Sequence, residues 1–295
     1  MMTMIAFPDI APEIFTINIG TFSFSLRWYA LSYIVGILLG WRLMVHALRQ
    51  TRLWPDETAP MTSEQADELI TWIILGVVLG GRLGYVLFYQ PAYYLQNPAE
   101  ILMVWQGGMA FHGGLLGVIL VCLLYWHRHR IPGFSAADVI ALGTPIGLCL
   151  GRIANFINAE LWGRPTSLPW GVAFPGDMAQ YCPRVEGVCA RHPSQLYEAI
   201  LEGIILGAVL IFLAYRRGAL KYPGLITGVF FLGYGLSRMF VELFRQADAQ
   251  FISAENPMGY VLHLGGFGLS MGQLLSLPMV LIGLVLIRHA RRQVT

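Results

Sequence analysis

Lysine is almost missing from this sequence, and charge of either sign is scarce. Lys221 is the only lysine, and Asp, Glu, Lys and Arg together supply 12% of the chain. A soluble domain carries about 25% charged residues, so an ordinary soluble fold is excluded, and no nucleic-acid partner is expected. Cysteine is sparse as well: Cys122, Cys149, Cys182 and Cys189 lack the spacing of metal ligands. Within the long apolar runs Asp138 is the only aspartate. That removes a metal-dependent lipid phosphotransferase, which needs clustered aspartates on a helix. The first twenty residues contain Pro8, Asp9, Pro12 and Glu13 and lack a basic start before an apolar core. No cleavable signal peptide is therefore expected, and insertion falls to the chain's own transmembrane segments. Internal repeats and low-complexity stretches are also missing.

What is present is apolar length. Hydrophobic residues make up 56% of the 295, and mean hydropathy is +0.60. A span of about 30 Å takes roughly 20 residues. Seven stretches meet or approach this, at about 24–43, 69–89, 109–126, 137–157, 195–215, 223–244 and 270–288. Basic clusters follow the first, third, fifth and seventh: Arg42, Arg49 and Arg52; Arg128 and Arg130; Arg216, Arg217 and Lys221; Arg288, Arg291 and Arg292. The loop from Gln90 to Gln106 has no lysine or arginine. The positive-inside rule then puts the N-terminus outside and the C-terminus in the cytoplasm. The expected fold is an all-α polytopic membrane protein of seven transmembrane helices with a small periplasmic head. Residues 1–158 and 194–295 form the membrane domain, and the head is the insert 159–193. Prolines 165, 169, 175, 183 and 193 predict turns or short strands in that insert.

Three arginines lie inside the apolar runs: Arg82, Arg152 and Arg238. A guanidinium stays protonated, and placing it near the bilayer centre costs at least about 2.5–3.5 kcal/mol. Such a residue needs an anion, and phospholipid phosphate is the abundant one. At about 1.5 Å per residue, all three arginines sit roughly 20 Å along their segments from the cytoplasmic side. His112 and Tyr29 fall at the outer ends of theirs, so the polar groups gather in the outer half of the membrane. Helical phase agrees. Tyr234, Arg238, Glu242 and Arg245 share one face. Arg152, Asn155 and Asn158 form a second stripe, and Gln195, Glu198 and Glu202 a third. Glu198, Glu202 and Glu242 are candidate counter-charges for the arginines. Arg82, flanked by Gly80, Gly81 and Gly84, is equally well read as a buried ion pair or as a lipid contact. His112, between glycine pairs, fits a helix cap, a proton acceptor or a phosphate donor. Cys122 and Cys149 read as packed hydrophobes. Cys182 and Cys189 lie in the outer head, where an oxidising compartment permits a disulfide that spacing alone does not require.

The sequence resembles the bacterial prolipoprotein diacylglyceryl transferases over nearly its whole length. The matching stretches are GGRLGYVLFY (80–89), GGMAFHGGL (107–115), GRIANFINAELWGR (151–164), RHPSQLYE (191–198), GYGLSRMFVE with FRQ (233–246) and SMGQLLS (270–276). The resemblance implies transfer of the diacylglyceryl group of phosphatidylglycerol to the lipobox cysteine of a prolipoprotein signal peptide, at the periplasmic side of the bacterial inner membrane. A thioether forms and glycerol phosphate leaves. Carried over by motif, Arg152 and Arg238 are essential and bind the lipid phosphate. Tyr29, His112, Asn155 and Gly163 match positions on which the family depends, and Glu160, Tyr234 and Glu242 line the same region. Arg27 stands where some members have histidine, Ala110 replaces a serine, and Ala154 and Ala159 replace glycines. No cofactor or metal is implied. The thiol proton goes to His112, or the arginine field alone makes the thiolate. The competing reading is a polytopic transporter of an anionic solute, whose pathway buried arginines also line.

Overall fold

The computed structural model describes residues 4–20, 22–182, 185–253, 255–264 and 267–292; Pro183 of the expected head falls outside them. The chain begins with strands β1 (Ile5–Ala6), β2 (Glu13–Ile19) and β3 (Phe22–Arg27), then helices α1 (Trp28–Leu48) and α2 (Ser63–Phe88). Next come the short α3 (Pro91–Gln96), α4 (Phe111–His129) and α5 (Gly133–Ile157). The head contributes β4 (Val172–Ala173) and α6 (Asp177–Gln180). After it, α7 (Ser194–Glu198) runs through a π-helical stretch, Ala199–Ile205, into α8 (Leu206–Arg216). Helix α9 (Leu225–Val241), the strands β5 (Leu262–Leu264) and β6 (Phe267–Leu269), and α10 (Met271–Arg292) complete the order.

Among the described residues, six helices are long and apolar enough to cross a membrane: α1, α2, α4, α5, the continuous Ser194–Arg216 helix and α10. The sixth predicted segment, 223–244, corresponds to α9, which is apolar but only 17 residues long. The first segment, expected over 24–43, needs correction. Residues 22–27 are a strand paired antiparallel with β2, and the helix starts at Trp28. The reason is visible in the pattern: Phe22, Phe24 and Leu26 alternate with Ser23 and Ser25, the period of a strand. Across the hairpin, Ile17 faces Phe24 and Thr16 faces Ser25, whose hydroxyls lie 2.8 Å apart.

The chain divides into two compact units, one of residues 1–43 with 140–295 and one of residues 44–139. In the second unit α2 and α4 cross at a glycine ridge. A Cβ built at Gly80 would lie 2.5 Å from the Gly113 carbonyl oxygen, and one at Gly84 2.7 Å from the Gly113 Cα. Gly76 faces Gly117 in the same way. Lipid gives apolar helices no hydrophobic reason to associate, so close backbone approach through small residues holds such pairs. A side chain at Gly117 has no room, because its Cβ would overlap the Gly76 carbonyl. Gly117→Leu is expected to separate the two helices and to destabilise this unit by about 3 kcal/mol, the upper end of the usual overpacking cost. The check is the thermal aggregation midpoint of the detergent-solubilised protein, which Gly151→Ala, helical and with open space at its Cβ, should lower much less.

Arg82 belongs to this unit and is buried. Its Nε donates to the Ile101 carbonyl (2.9 Å), Nη2 to Glu100 O (2.6 Å) and Nη1 to Gly107 O (2.5 Å). The Tyr94 ring lies 5.1 Å from the guanidinium carbon. Among the described residues it makes no ion pair. Of the two readings the sequence left open, neither describes it: Arg82 fastens the loop that precedes α4 by taking its carbonyls. That loop turns through Gly107 and Gly108, both at positive φ, and a Cβ at Gly108 would press on Tyr85 and on Arg82 itself.

In the first unit Gly36 meets Gly147 and Gly40 meets Gly143, bringing α1 against α5. Gly228 and Gly283 bring α9 against α10, and Gly203 in the π-helical stretch rests on Cys149 of α5. Above these helices β1 pairs parallel with β4, and Val172, Phe174 and Ala179 form a small core with Phe7, Phe156 and Trp162. A Cys182–Cys189 disulfide closes the adjoining loop, with 6.2 Å between the Cα atoms.

Candidate active site

Each of the three polar stripes read from the sequence lies in the first unit, and they meet there. Helix α5 presents Arg152, α7 and the π-helical stretch present Glu198 and Glu202, and α9 with its C-terminal turn presents Arg238, Glu242 and Arg245. Glu198 is the hub. Its Oε2 lies 3.1 Å from Arg152 Nε, while its Oε1 accepts from Arg238 Nη1 and, at 3.2 Å, from Arg245 Nη1. Glu242 Oε1 accepts from Arg238 Nη2 at 2.5 Å and lies 3.9 Å from Arg245 Nε. Its other oxygen accepts from the Ser270 hydroxyl at 2.7 Å, and Ser270 Oγ in turn caps the start of α10 by accepting from Gln273 N. Glu202 Oε2 lies 3.9 Å from Arg152 Nη2.

Exposure is graded across the cluster. Glu198 and Glu202 side chains are 0% exposed, whereas Arg152, Arg238 and Arg245 are 19%, 15% and 14% exposed. The carboxylates are the floor and the guanidinium groups are the accessible layer. Buried carboxylates orient the arginine forks, at a desolvation cost that is best offset where the carboxylate is closely paired, as Glu198 and Glu242 are. Arg152 and Arg238 are thereby held on the two oxygens of one carboxylate, with donor capacity left over for an anion.

The other expected site residues are placed as follows. Asn155, buried one turn after Arg152, donates from Nδ2 to Glu160 Oε1 at 2.7 Å, and Gln195 Nε2 donates to the Glu160 carbonyl at 2.5 Å. Glu160 itself is exposed. The turn between them carries Ala159 and Leu161 at positive φ. A glycine adopts that conformation without strain, so the backbone at Ala159 suits glycine better than alanine. Tyr234 lies one turn before Arg238 and stacks on Phe230 at 6.0 Å. Tyr29 is the second residue of α1 and accepts from the Tyr33 hydroxyl at 3.3 Å; Tyr33 lies within electrostatic reach of Arg152 and Glu160. His112 is the second residue of α4, exposed, in the other unit, with its ring edge-on to Phe111. Ala110 at the N-cap of that helix offers no side-chain cap, so a capping role belongs to neither residue's side chain.

Gly163 is a crossing point. Its N–H donates to the His192 carbonyl at 2.8 Å, it bridges to Arg245, and a Cβ there would lie 2.5 Å from the Phe244 carbonyl oxygen. Arg164 N–H donates to that same carbonyl, and Arg164 Nε donates to Arg245 O. The head thus sets the backbone that carries Arg245.

The sequence offers Glu198 as one of three candidate counter-charges and Arg245 only as a residue on the Arg238 face, and it does not single out Arg191. Arg191 is buried, donates to Ala179 O (2.5 Å), Tyr181 O (3.0 Å) and Gly163 O (3.3 Å), and lies 3.9 Å over the Trp162 ring. Burial lowers its pKa to about 10, which still leaves it charged at neutral pH. Beside it, burial pulls His192 below the usual imidazole range. Its Nδ1 pairs with the Tyr197 hydroxyl at 3.0 Å, and that oxygen accepts from Trp170 Nε1 at 2.8 Å. The signal for these residues was the RHPSQLYE run, whose polar density is high for a stretch that enters a membrane helix.

Residues 15–289 match the prolipoprotein diacylglyceryl transferase family. A phosphatidylglycerol–prolipoprotein diacylglyceryl transferase of Roseobacter denitrificans is 65% identical over 291 residues, covering 99% of both chains. One from Ruegeria pomeroyi is 62% identical with the same coverage, and one from Rhizobium meliloti is 49% identical over 98% of this chain and 95% of its own. With most of its length matched by the family and full-length relatives at this identity, the chain belongs to the prolipoprotein diacylglyceryl transferases.

Proposed function

We propose that this enzyme transfers the diacylglyceryl group of phosphatidylglycerol to the lipobox cysteine thiol of a prolipoprotein, with Arg152 and Arg238 as the phosphate clamp. The observation that carries the clamp is their common anchor: the two guanidinium groups sit on opposite oxygens of the buried Glu198 carboxylate. That fixes two forked donors side by side while each keeps some exposure. The thiolate attacks the terminal glycerol carbon of the diacylglyceryl group, the C–O bond breaks with its electron pair going to the phosphate oxygen, and glycerol phosphate departs. Charge grows on the phosphate as the bond breaks, and fixed donors in a dehydrated site stabilise it strongly. Asn155, Glu160, Gly163, Tyr234, Glu242 and Tyr29 are assigned to lining or shaping this site on the family motifs and on their places in the first unit. An anion transporter is the weaker reading, because the family is one of transferases.

The membrane arrangement we assign is seven spans with the N-terminus outside and the C-terminus cytoplasmic, the 159–193 head and the site lying toward the periplasm. Helix α9, at 17 residues, covers roughly 26 Å and sits at the short end of the spanning range. The alternating basic clusters support the orientation.

A substrate thiol with pKa about 8.5 is only a few per cent thiolate at neutral pH, so a proton acceptor accelerates attack. His112 takes that role on the strength of its motif. The test uses purified full-length enzyme, phosphatidylglycerol and a lipobox peptide, with the mass gain on the peptide cysteine as readout. Formation of the thioether supports the transferase; uptake of an anion into sealed vesicles without modification supports the transporter. In the same assay His112→Gln is expected to slow turnover by about 10²–10⁴-fold and to remove the acidic limb of the pH–rate profile. A variant that keeps that limb excludes His112 as the base.

A further inference from the structure

We infer that Glu202 takes up a proton when an anionic phospholipid headgroup binds at Arg152 and Arg238, making it the charge-balancing residue of the site. This rests on the phosphate-clamp reading above. The cluster is electrically even: Arg152, Arg238 and Arg245 against Glu198, Glu202 and Glu242. A phosphodiester adds one negative charge, and an excess charge in a poorly solvated place is answered most cheaply by protonating the carboxylate with least to lose. The three carboxylates differ sharply in that respect. Glu198 is engaged by three guanidinium groups, and Glu242 by two together with the Ser270 hydroxyl. Glu202 is fully buried, neither of its oxygens has a hydrogen-bond partner, and its nearest cation is Arg152 at 3.9 Å. A buried, ionised carboxylate without hydrogen bonds is the costly form, and the neutral acid is not.

Among the described residues the carboxylate facing Glu202 is Glu198, whose Oε2 has no hydrogen bond but is held by the 3.1 Å ion pair to Arg152 that Glu202 lacks. From α5 Glu202 faces Arg152 and, beside Gly203, Cys149; from α7, Glu198; from α9, Tyr234 and Arg238, with Arg245 just beyond. Glu202 sits in the π-helical stretch, and such bulges are commonly retained at functional positions. Glu202, four residues after Glu198, lies on the same side and approaches the same Arg152, and Gly203 lets Cys149 of α5 close beside it. Glu202 does not touch the lipid. It sets the net charge that Arg152 and Arg238 present to it.

The sign follows from linkage. If lipid binding raises the affinity of Glu202 for a proton, affinity for phosphatidylglycerol is highest below the ionisation of Glu202 in the free enzyme. It then falls by up to about tenfold per pH unit above it. The experiment is the KM for phosphatidylglycerol in mixed detergent micelles, from about pH 5 to about pH 9, for the full-length wild type, Glu202→Gln and Glu202→Asp. We expect the wild-type KM to rise with pH, Glu202→Gln to hold a low and flat KM throughout, and Glu202→Asp to restore the rise. A flat wild-type profile, or a rise that persists in Glu202→Gln, overturns the proposal. Where Glu202→Gln does not fold, proton uptake on titrating wild type with phosphatidylglycerol decides it, read calorimetrically in buffers of different ionisation enthalpy. Up to about one proton per lipid bound is expected, and none overturns the proposal. The clamp itself fails separately: Arg152→Ala and Arg238→Ala enzymes that bind phosphatidylglycerol as wild type does would remove it, whatever Glu202 does.

Discussion

Replacing Arg238 with alanine is expected to lower the transfer rate by at least about 10²–10³-fold while the protein still inserts and folds. The local ion pairs explain why the two effects separate. Without Arg238, Glu198 keeps Arg152 and Arg245, and Glu242 keeps Arg245 and the Ser270 hydroxyl. Neither carboxylate is stranded, so the large penalty for a buried unpaired charge does not arise. What disappears is one of two forks on Glu198 that reach the accessible layer. Arg152→Ala should lose activity to a similar degree, but it also removes the cation nearest to Glu202 and should cost more stability. Lysine at either position restores charge without the planar fork and is expected to recover only part of the rate. The measurement is the initial rate of peptide modification, normalised to membrane-inserted enzyme. Near-normal turnover in either alanine variant would end the phosphate-clamp mechanism.

Arg82 and Arg152 both lie among glycines and aliphatics; the asparagines on its face set Arg152 apart in the sequence, but what each guanidinium meets is visible only in the structure. The difference lies in what surrounds each at long range. Arg152 meets carboxylates carried by other helices, whereas Arg82 spends its donors on carbonyls 18 to 25 residues further along its own chain. Loop carbonyls leave no trace in residue identity, so no pattern could have announced that role. The helices themselves were legible because a spanning segment must satisfy every backbone group internally and be apolar throughout. The exception, β3, shows the limit. Its apolar face merges with the start of α1 when composition is averaged, although its alternation was present residue by residue. Within the site, helical phase gave the face shared by Arg238, Glu242 and Arg245. It did not give the hub, because the ranking of Glu198 above Glu202 and Glu242 comes from three helices converging on one carboxylate.

That ranking makes Glu198→Ala the substitution with the largest expected cost to the fold. The carboxylate is fully buried and is shared by Arg152, Arg238 and Arg245. Removing it leaves three guanidinium groups against Glu242 and the distant Glu202, a net positive charge where water has little access. Breaking a buried ion pair from one side costs about 3–5 kcal/mol, and the cavity left by the side chain adds to it. Glu198→Gln keeps the volume and an acceptor oxygen but not the charge, and should fall between alanine and wild type. Glu160→Ala is the contrast: an exposed carboxylate whose hydrogen-bond partner is the Asn155 amide, so a smaller change of about 1–2 kcal/mol is expected. Thermal inactivation midpoints in one detergent, with residual transfer measured before heating, compare the three directly. If Glu198→Ala inactivates at the wild-type temperature, the carboxylate floor is not what holds the arginines, and their geometry must come from helix packing through Gly203, Gly207 and Gly235.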